Sequence, residues 1–265
     1  ISEDDIERLK ETLSYLSTFS RSESFKTIET VLSSLKGEID FFEKNKKIVD
    51  FIENTYQKGF ENLDKLVDYI INKEVVKIRY ETYSKKITEE ILHPHLLKQS
   101  KNLRWYLYGD ILIDDDQREH KRPNPHTFAL DRIKKIEPIP QKKYKESEID
   151  YDSYFEDVFD HTKLRRRKAD KIIFYVDTEL VPLLDSNPPH PSYKIFKTAS
   201  SSITRNVNGK EKTYVKRGME VIICKGLKGE FLRNGHKIIV HEPKSLAEFI
   251  RNESMLNIKN YNAQI

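Results

Sequence analysis

The stretch Lys101–Asp110, KNLRWYLYGD, places an arginine inside a run of aromatic and leucine side chains. A half-buried β-strand points alternate side chains to opposite faces. The spacing therefore predicts an apolar core face and a polar face, which are Leu103, Trp105 and Leu107 on one side and Arg104, Tyr106 and Tyr108 on the other. Alternation alone leaves two interpretations open. The polar face could bind a flat, anionic or aromatic ligand, or Arg104 could simply lie in solvent beside tyrosines.

The composition is that of a globular protein with a heavily charged surface. Of the 265 residues, 37% are hydrophobic and 34% are charged. No apolar run approaches the roughly 20 residues that span a bilayer, and the N-terminus has no signal-peptide pattern. The single cysteine, Cys224, excludes an internal disulfide framework and fits a reducing cytoplasm. The net charge of +4 is too small to argue for an anionic partner by itself.

The start of the chain resembles the interior of a longer protein. Ser2 and Asp5 fit a capping box at the start of a helix, and no initiator methionine precedes them. We therefore expect an upstream extension. Apolar residues at helical spacing predict helices over residues 1–74, which we interpret as a linker or dimerisation segment.

The pattern changes to short alternating strands after residue 74. Val76, Ile78 and Tyr80 share one face of the first strand, and three further strand segments follow within about 65 residues, which favours a small barrel over residues 75–140. Residues 141–171 are predicted to form a connector. Residues 172–265 follow the order of a ferredoxin-like βαββαβ module, with Asn208 and Gly209 as a type I′ turn. The predicted fold class is thus α+β.

Several motifs together resemble the WYL-domain family, which is named for the Trp-Tyr-Leu at 105–107. They are KIRYETY, ILHPHLLKQSKNLRWYLYGD and FALDRIKKIEPI, followed by SYFEDVFDHTK, PPHPSYKI and RNGHKIIVHEPKSLAEFI. The resemblance covers roughly residues 60–260, and the combination is more specific than any single piece.

This resemblance implies a bacterial transcriptional regulator rather than an enzyme. Members commonly carry an N-terminal winged helix-turn-helix, an Sm/SH3-like WYL barrel that senses a ligand, and a ferredoxin-like C-terminal module. The implied effector is a nucleotide or single-stranded nucleic acid, and a homodimer is expected. No winged helix is readable in residues 1–74, so we expect duplex DNA to be bound through a missing N-terminal domain.

The family's ligand-facing positions map onto five residues. Tyr80 closes the first strand, His95 follows the proline, Arg104 precedes the motif tryptophan, Tyr106 is the motif tyrosine, and Arg132 belongs to the Leu-Asp-Arg-Ile segment. His95 departs from the family, in which tyrosine is common at that position, and its charge varies near neutral pH.

Other readings depend on weaker patterns. A stand-alone RNA- or single-stranded-DNA-binding module remains the alternative function. An enzyme acting on nucleic acid would depend on the acidic run Asp114–Asp116, which opens an insert at residues 114–126. His93, His95, His120 and His126 match no closed zinc pattern. We expect no catalysis, no metal and no cofactor.

Overall fold

The computed structural model describes residues 58–112, 125–164, 167–198 and 201–263. The chain divides into two compact units with the boundary between Glu148 and Ile149, which falls inside the predicted connector. Each unit contains an antiparallel sheet and helices, so the predicted α+β class is confirmed. The helices predicted before residue 58 lie outside the described residues, and the four-part division of the chain stays a prediction.

In the residues that the structure describes, the first unit is a five-stranded antiparallel sheet with one α-helix. Its sheet order is β4-β3-β2-β1-β5, and a 3-10 turn at Leu130–Arg132 joins β4 to β5. In the described part of the unit, the edge strands β4 and β5 do not pair with each other, so the closed Sm-like barrel stays a prediction. The elements are α1 (Leu63–Ile71), β1 (Val76–Glu81), β2 (Ile87–Gln99), β3 (Trp105–Ile111), β4 (His126–Ala129) and β5 (Ile133–Pro138).

Helix α1 packs into the same core as the sheet. Leu63 and Leu66 lie one turn apart and are both buried, as the helical period requires of a core-facing stripe. They contact a cluster that includes Ile78, Leu107 and Leu130. Helix α1, which the sequence analysis grouped with the N-terminal helices, thus contributes to the hydrophobic core of the sheet.

Both faces of β3 are buried, so the face that carries Tyr106 and Tyr108 is not open to solvent. Tyr106 is 9% exposed and Tyr108 is fully buried. The chain beyond β5 returns against the adjacent strand β2 on this side: the backbone N–H of Lys145 donates to His93 Nδ1 at 3.1 Å, and the Tyr144 ring lies 5.6 Å from the His93 ring. The interpretation in which this face lies in solvent is therefore wrong for Tyr106 and Tyr108.

The second unit is also a five-stranded antiparallel sheet, with order β10-β6-β9-β7 and β8 paired to β9. The β8–β9 hairpin turns at Asn208 and Gly209, whose φ values of 52° and 77° fit the predicted type I′ turn. Because β8 is an additional strand and β7 has two residues, the ferredoxin-like module stays a prediction. The elements are α2 (Tyr151–Tyr154), β6 (Asp170–Asp177), α3 (Val181–Ser186), β7 (Lys194–Ile195), β8 (Ser202–Val207), β9 (Lys210–Val221), α4 (Lys225–Asn234), β10 (Ile238–Glu242) and α5 (Lys244–Asn262).

The core of the second unit lies on one face of its sheet. Phe174 of β6 and Val240 of β10 point to this face, where helices α3, α4 and α5 supply Leu184, Leu227 and Leu246. Consecutive strand residues point to opposite faces, so the odd-numbered residues of β6 lie on the side away from these helices. Among the described residues, no helix is both long and apolar enough to cross a membrane.

Candidate functional site

Arg104 forms the centre of a polar cluster in the first unit. Its Nε and Nη2 donate to the two carboxylate oxygens of Asp131 at 2.8 and 2.7 Å, and its Nη1 donates to Tyr83 Oη at 3.2 Å. The guanidinium carbon lies 5.6 Å from the centre of the Tyr106 ring. Hydrogen bonding to Asp131 raises the pKa of Arg104. A bidentate pair of this kind fixes the plane of the guanidinium.

The tight turn between β2 and β3 positions Arg104. Leu103 has a φ of 60°, which is uncommon for a bulky side chain. Its N–H donates to the carbonyl of Ser100 at 2.9 Å, and Ser100 Oγ accepts from the Arg104 N–H at 3.2 Å. The turn thus closes on itself and delivers Arg104 to the start of β3.

Arg132 and Tyr83 form the exposed side of the cluster. The guanidinium carbon of Arg132 lies 2.9 Å from the centre of the Tyr83 ring, in the geometry of a cation–π contact. Tyr83 is 79% exposed, and the hydrogen bond from Arg104 lowers its pKa. Within the described residues no carboxylate forms an ion pair with Arg132. Arg132 therefore keeps donors and positive charge available to a ligand.

Tyr80 supports the turn that carries Asp131 and Arg132. Its Oη accepts a hydrogen bond from the Ala129 N–H at 3.3 Å, and its ring meets Phe128 edge-to-face at 5.2 Å. The structure therefore brings Arg104, Tyr106 and Arg132 into one cluster and places Tyr80 at its base.

His95 lies in a different group of residues. It is the bulged residue of β2, between Pro94 and Leu96. Its Nε2 is 3.1 Å from the carbonyl oxygen of Lys145, and its ring lies 5.9 Å from Tyr144. These two contacts join His95 to the segment after β5. In the described ranges no group of three or more His, Cys, Asp or Glu side chains could hold a metal ion, and His120 lies outside them.

Comparison with known families agrees with the sequence motifs. Residues 61–138 match the family model described as the WYL domain, a range that runs from the start of α1 to the end of β5. These residues are a WYL domain. The match confirms the resemblance over residues 61–138, a range that includes all five predicted site residues.

Two solved structures show distant similarity to the chain. One is proteasome accessory factor B/C (PafBC) of Arthrobacter aurescens, with 12% identity and a TM-score of 0.31, covering 73% of this chain and 26% of that one. The other is a CRISPR Cas-related protein, with 12% identity and a TM-score of 0.43, covering 77% of this chain and 52% of that one. The chain thus spans less than two thirds of either protein. None of the curated proteins matches it.

Two residues of the WYL-domain cluster were missed from the sequence. Asp131 lies beside Arg132 in the Leu-Asp-Arg-Ile motif, and the motif does not show that Asp131 pairs with the more distant Arg104. Tyr83 was overlooked because it follows the end of β1 in a polar loop. An acid beside a predicted ligand-binding arginine is a signal that could have suggested an internal ion pair.

Because His93 of the WYL domain is buried, we predict that its hydrogen bond with the backbone of Lys145 depends on pH. Burial, and then the nearby charge of His95, lowers the pKa of His93 from its ordinary 6.5, so its neutral form is favoured and Nδ1 can accept from the Lys145 N–H. A depressed histidine pKa gives stability that is fully present above pH 6.5 and is lost as pH falls toward the folded-state pKa. We expect faster amide exchange at Lys145 at pH 5 than at pH 7.5, after correction for intrinsic rates. His93→Phe should remove this pH dependence, and unchanged protection in the wild type would contradict the prediction.

Proposed function

We propose that the WYL domain is the ligand-sensing part of a bacterial transcriptional regulator that acts in the cytoplasm without catalysing a reaction. Its ligand is a nucleotide or single-stranded nucleic acid. This ligand binds Arg132 and Tyr83, and Arg104 supports Tyr83 through a hydrogen bond. The observation that carries this proposal is the exposed Tyr83 ring, whose face meets the Arg132 guanidinium and whose hydroxyl accepts a hydrogen bond from Arg104. Among the described residues, Arg132 has no carboxylate partner.

The two arginines have different roles in this proposal: Arg104 orients its neighbours, and Arg132 binds the ligand. The Nε, Nη1 and Nη2 atoms of Arg104 each already donate to Asp131 or Tyr83. Arg104 therefore orients its neighbours and contributes positive potential. In the part of the chain that the structure describes, the Arg132 guanidinium donates no hydrogen bond, so its donors can meet a phosphate. The face of the Tyr83 ring opposite Arg132 is available for a base, since the side chain is 79% exposed.

The effector would act by shifting a conformational equilibrium. A ligand changes the DNA-binding geometry of a homodimer only if it binds one arrangement more tightly than the other. In this proposal the duplex DNA is bound by a winged helix-turn-helix encoded upstream of Ile1. Reading the upstream coding sequence separates this function from a stand-alone nucleic-acid-binding module, for which no such domain is needed.

The test of the ligand site is a titration with fluorescein-labelled oligo(dT). Arg132→Ala removes hydrogen bonds to a charged group, worth about 1.5–3 kcal/mol, and should weaken binding by roughly one to two orders of magnitude. Tyr83→Ala removes a stacking contact worth about 1–3 kcal/mol per base. Both variants should melt like the wild type, because Tyr83 is exposed and Arg132 is only half-buried.

Arg79→Ala is the matched control for charge. Arg79 is exposed on β1, close to Tyr83 along the chain, and belongs to no cluster described above. It should cost little affinity. Equal losses in Arg79→Ala and Arg132→Ala would indicate a general charge effect, and wild-type binding by both Arg132→Ala and Tyr83→Ala would refute the site.

A further inference from the structure

The second unit has a sheet face that none of its core helices covers. Three residues lie side by side across it: Ile239 of β10 pairs with Tyr175 of β6, which pairs with Lys216 of β9. Their neighbours Phe174 and Val240 point the other way, into the helix-covered core. Directly paired residues on neighbouring strands share a face, so Tyr175 and Lys216 project from the side away from the helices.

Two further rings extend this line in both directions. The His241 ring lies 5.7 Å from the Tyr175 ring, and the Lys216 ammonium lies 5.2 Å from the centre of the Phe196 ring. His241 is exposed, and Tyr175, Lys216 and Phe196 are half-buried. These four residues form what we call the sheet-face row. Along this row the Lys216 ammonium lies between the Tyr175 and Phe196 rings, and the His241 ring lies on the other side of Tyr175.

A glycine allows the Phe196 ring to lie against the strand. A Cβ at Gly218 would come within 3.0 Å of Phe196 Cε2 and 3.1 Å of the Ile172 carbonyl oxygen. Gly218 is two residues from Lys216 on β9 and therefore faces the same side. The Phe196 ring can therefore lie this close to β9 because Gly218 has no side chain.

The charge of the sheet-face row is not neutralised internally. In the described part of the chain no carboxylate forms an ion pair with Lys216. Lys212, two residues earlier on the same strand, bonds Asp177 at 2.8 Å and Glu179 at 3.4 Å. Lys194, which pairs with Gly218 and is exposed, adds a second cation at the same edge.

We propose that the sheet-face row is a binding surface for single-stranded nucleic acid, distinct from the ligand site of the WYL domain. Bases would stack on Tyr175 and on its flanking rings, His241 and Phe196, while Lys216 and Lys194 meet phosphates. Aromatic side chains on an open antiparallel sheet are a recognised arrangement for holding two or three unpaired bases. The row runs from β10 across β6 and β9 to Phe196, which directly follows β7. With neighbouring strands about 4.8 Å apart, it is about 14 Å long, which suits a ligand of two or three bases.

The chemistry of the sheet-face row disfavours an apolar peptide as its occupant. Such a peptide would bury the Lys216 ammonium without a counter-charge, at a large desolvation cost. A polynucleotide supplies both a flat surface for the rings and a negative charge for the ammonium. This inference does not depend on the site at Arg132.

The test uses the full chain and fluorescein-labelled oligo(dT) or oligo(U) of about 12 nucleotides, a length within the range of single-strand binding sites. Measured in an Arg132→Ala background, in which the WYL-domain site is weakened, Tyr175→Ala and Lys216→Gln should each weaken the remaining binding roughly tenfold. Tyr175→Ala removes a stacked base, and Lys216→Gln removes a charge-assisted contact to a phosphate. Lys228→Gln is the matched control, because the Lys228 ammonium lies 3.9 Å from the Phe249 ring on another part of the second unit. It loses the same charge and the same type of ring contact and should bind like the wild type.

Photocrosslinking separates the two sites. With a 4-thiouridine oligonucleotide, crosslinked peptides should include residues 171–177 or 210–221, and they should persist in Arg132→Ala. If Tyr175→Ala and Lys216→Gln bind as the wild type does while Arg132→Ala binds weakly, the sheet-face row is refuted and the WYL-domain site stands. If Tyr175→Ala does not fold, Lys216→Gln decides. Equal weakening toward heparin would also overturn the inference, because it would show attraction to charge without stacking.

Discussion

Gly109→Ala should lower the free energy of unfolding of the WYL domain by about 3 kcal/mol, the upper end of the usual cost of overpacking. Gly109 lies in the middle of β3, opposite Pro94 of β2. A Cβ there would overlap the carbonyl oxygen of His93 and approach Leu92 Cδ1 to 2.8 Å. The His93 carbonyl is part of the backbone beside the β2 bulge, so it cannot rotate away as a flexible side chain would. Relief would require the two strands to separate.

The measurement is urea unfolding followed by the fluorescence of Trp105. This residue is the single tryptophan of the chain and begins the same strand. Gly229→Ala is the control: it lies within α4, and a Cβ there would meet nothing within 4 Å. Alanine at a helix interior should stabilise that unit by up to about 1 kcal/mol. An unchanged urea midpoint for Gly109→Ala would show that β2 and β3 are farther apart than the structure has them.

The strands of the WYL domain were largely predictable from residue alternation. Val76 and Ile78 recur with period two, and both are fully buried, as expected for one core face of β1. The same rule failed for β3 because it assumes that one face meets solvent. The segment around Tyr144 and Lys145, which covers β2, is charged and looked like a connector in the sequence. Local pattern does not report which distant segment will return across a sheet.

The candidate site shows the same limit. The motif located Arg104 correctly beside Tyr106, because their positions follow from one short strand. The bidentate pair of Arg104 with Asp131 spans 27 positions and depends on the turn between β4 and β5. Because that pair occupies donors of Arg104, the proposed ligand contact depends on Arg132, which was also among the five predicted residues. A single sequence identifies the residue types of a site more readily than it identifies which donors remain unused.

Tyr108→Ala should destabilise the WYL domain by about 3–5 kcal/mol, the usual cost of truncating a large buried aromatic side chain. Tyr108 is fully buried and lies between Leu96 of β2 and Thr127 of β4. Removing its ring leaves a cavity within a sheet whose strands are paired on both sides. For a domain of this size the melting temperature should fall by about 15 °C or more.

The comparison variant is Tyr83→Ala, which removes the same ring from a side chain that is 79% exposed. It should keep the wild-type melting temperature and lose oligonucleotide affinity. Tyr108→Ala should melt early, and any affinity it loses below its melting temperature should be smaller than the loss in Tyr83→Ala. Both variants need melting and oligo(dT) titration on the same preparation. If Tyr108→Ala melts like the wild type but no longer binds, then Tyr108 faces the ligand and the second face of β3 is open in solution.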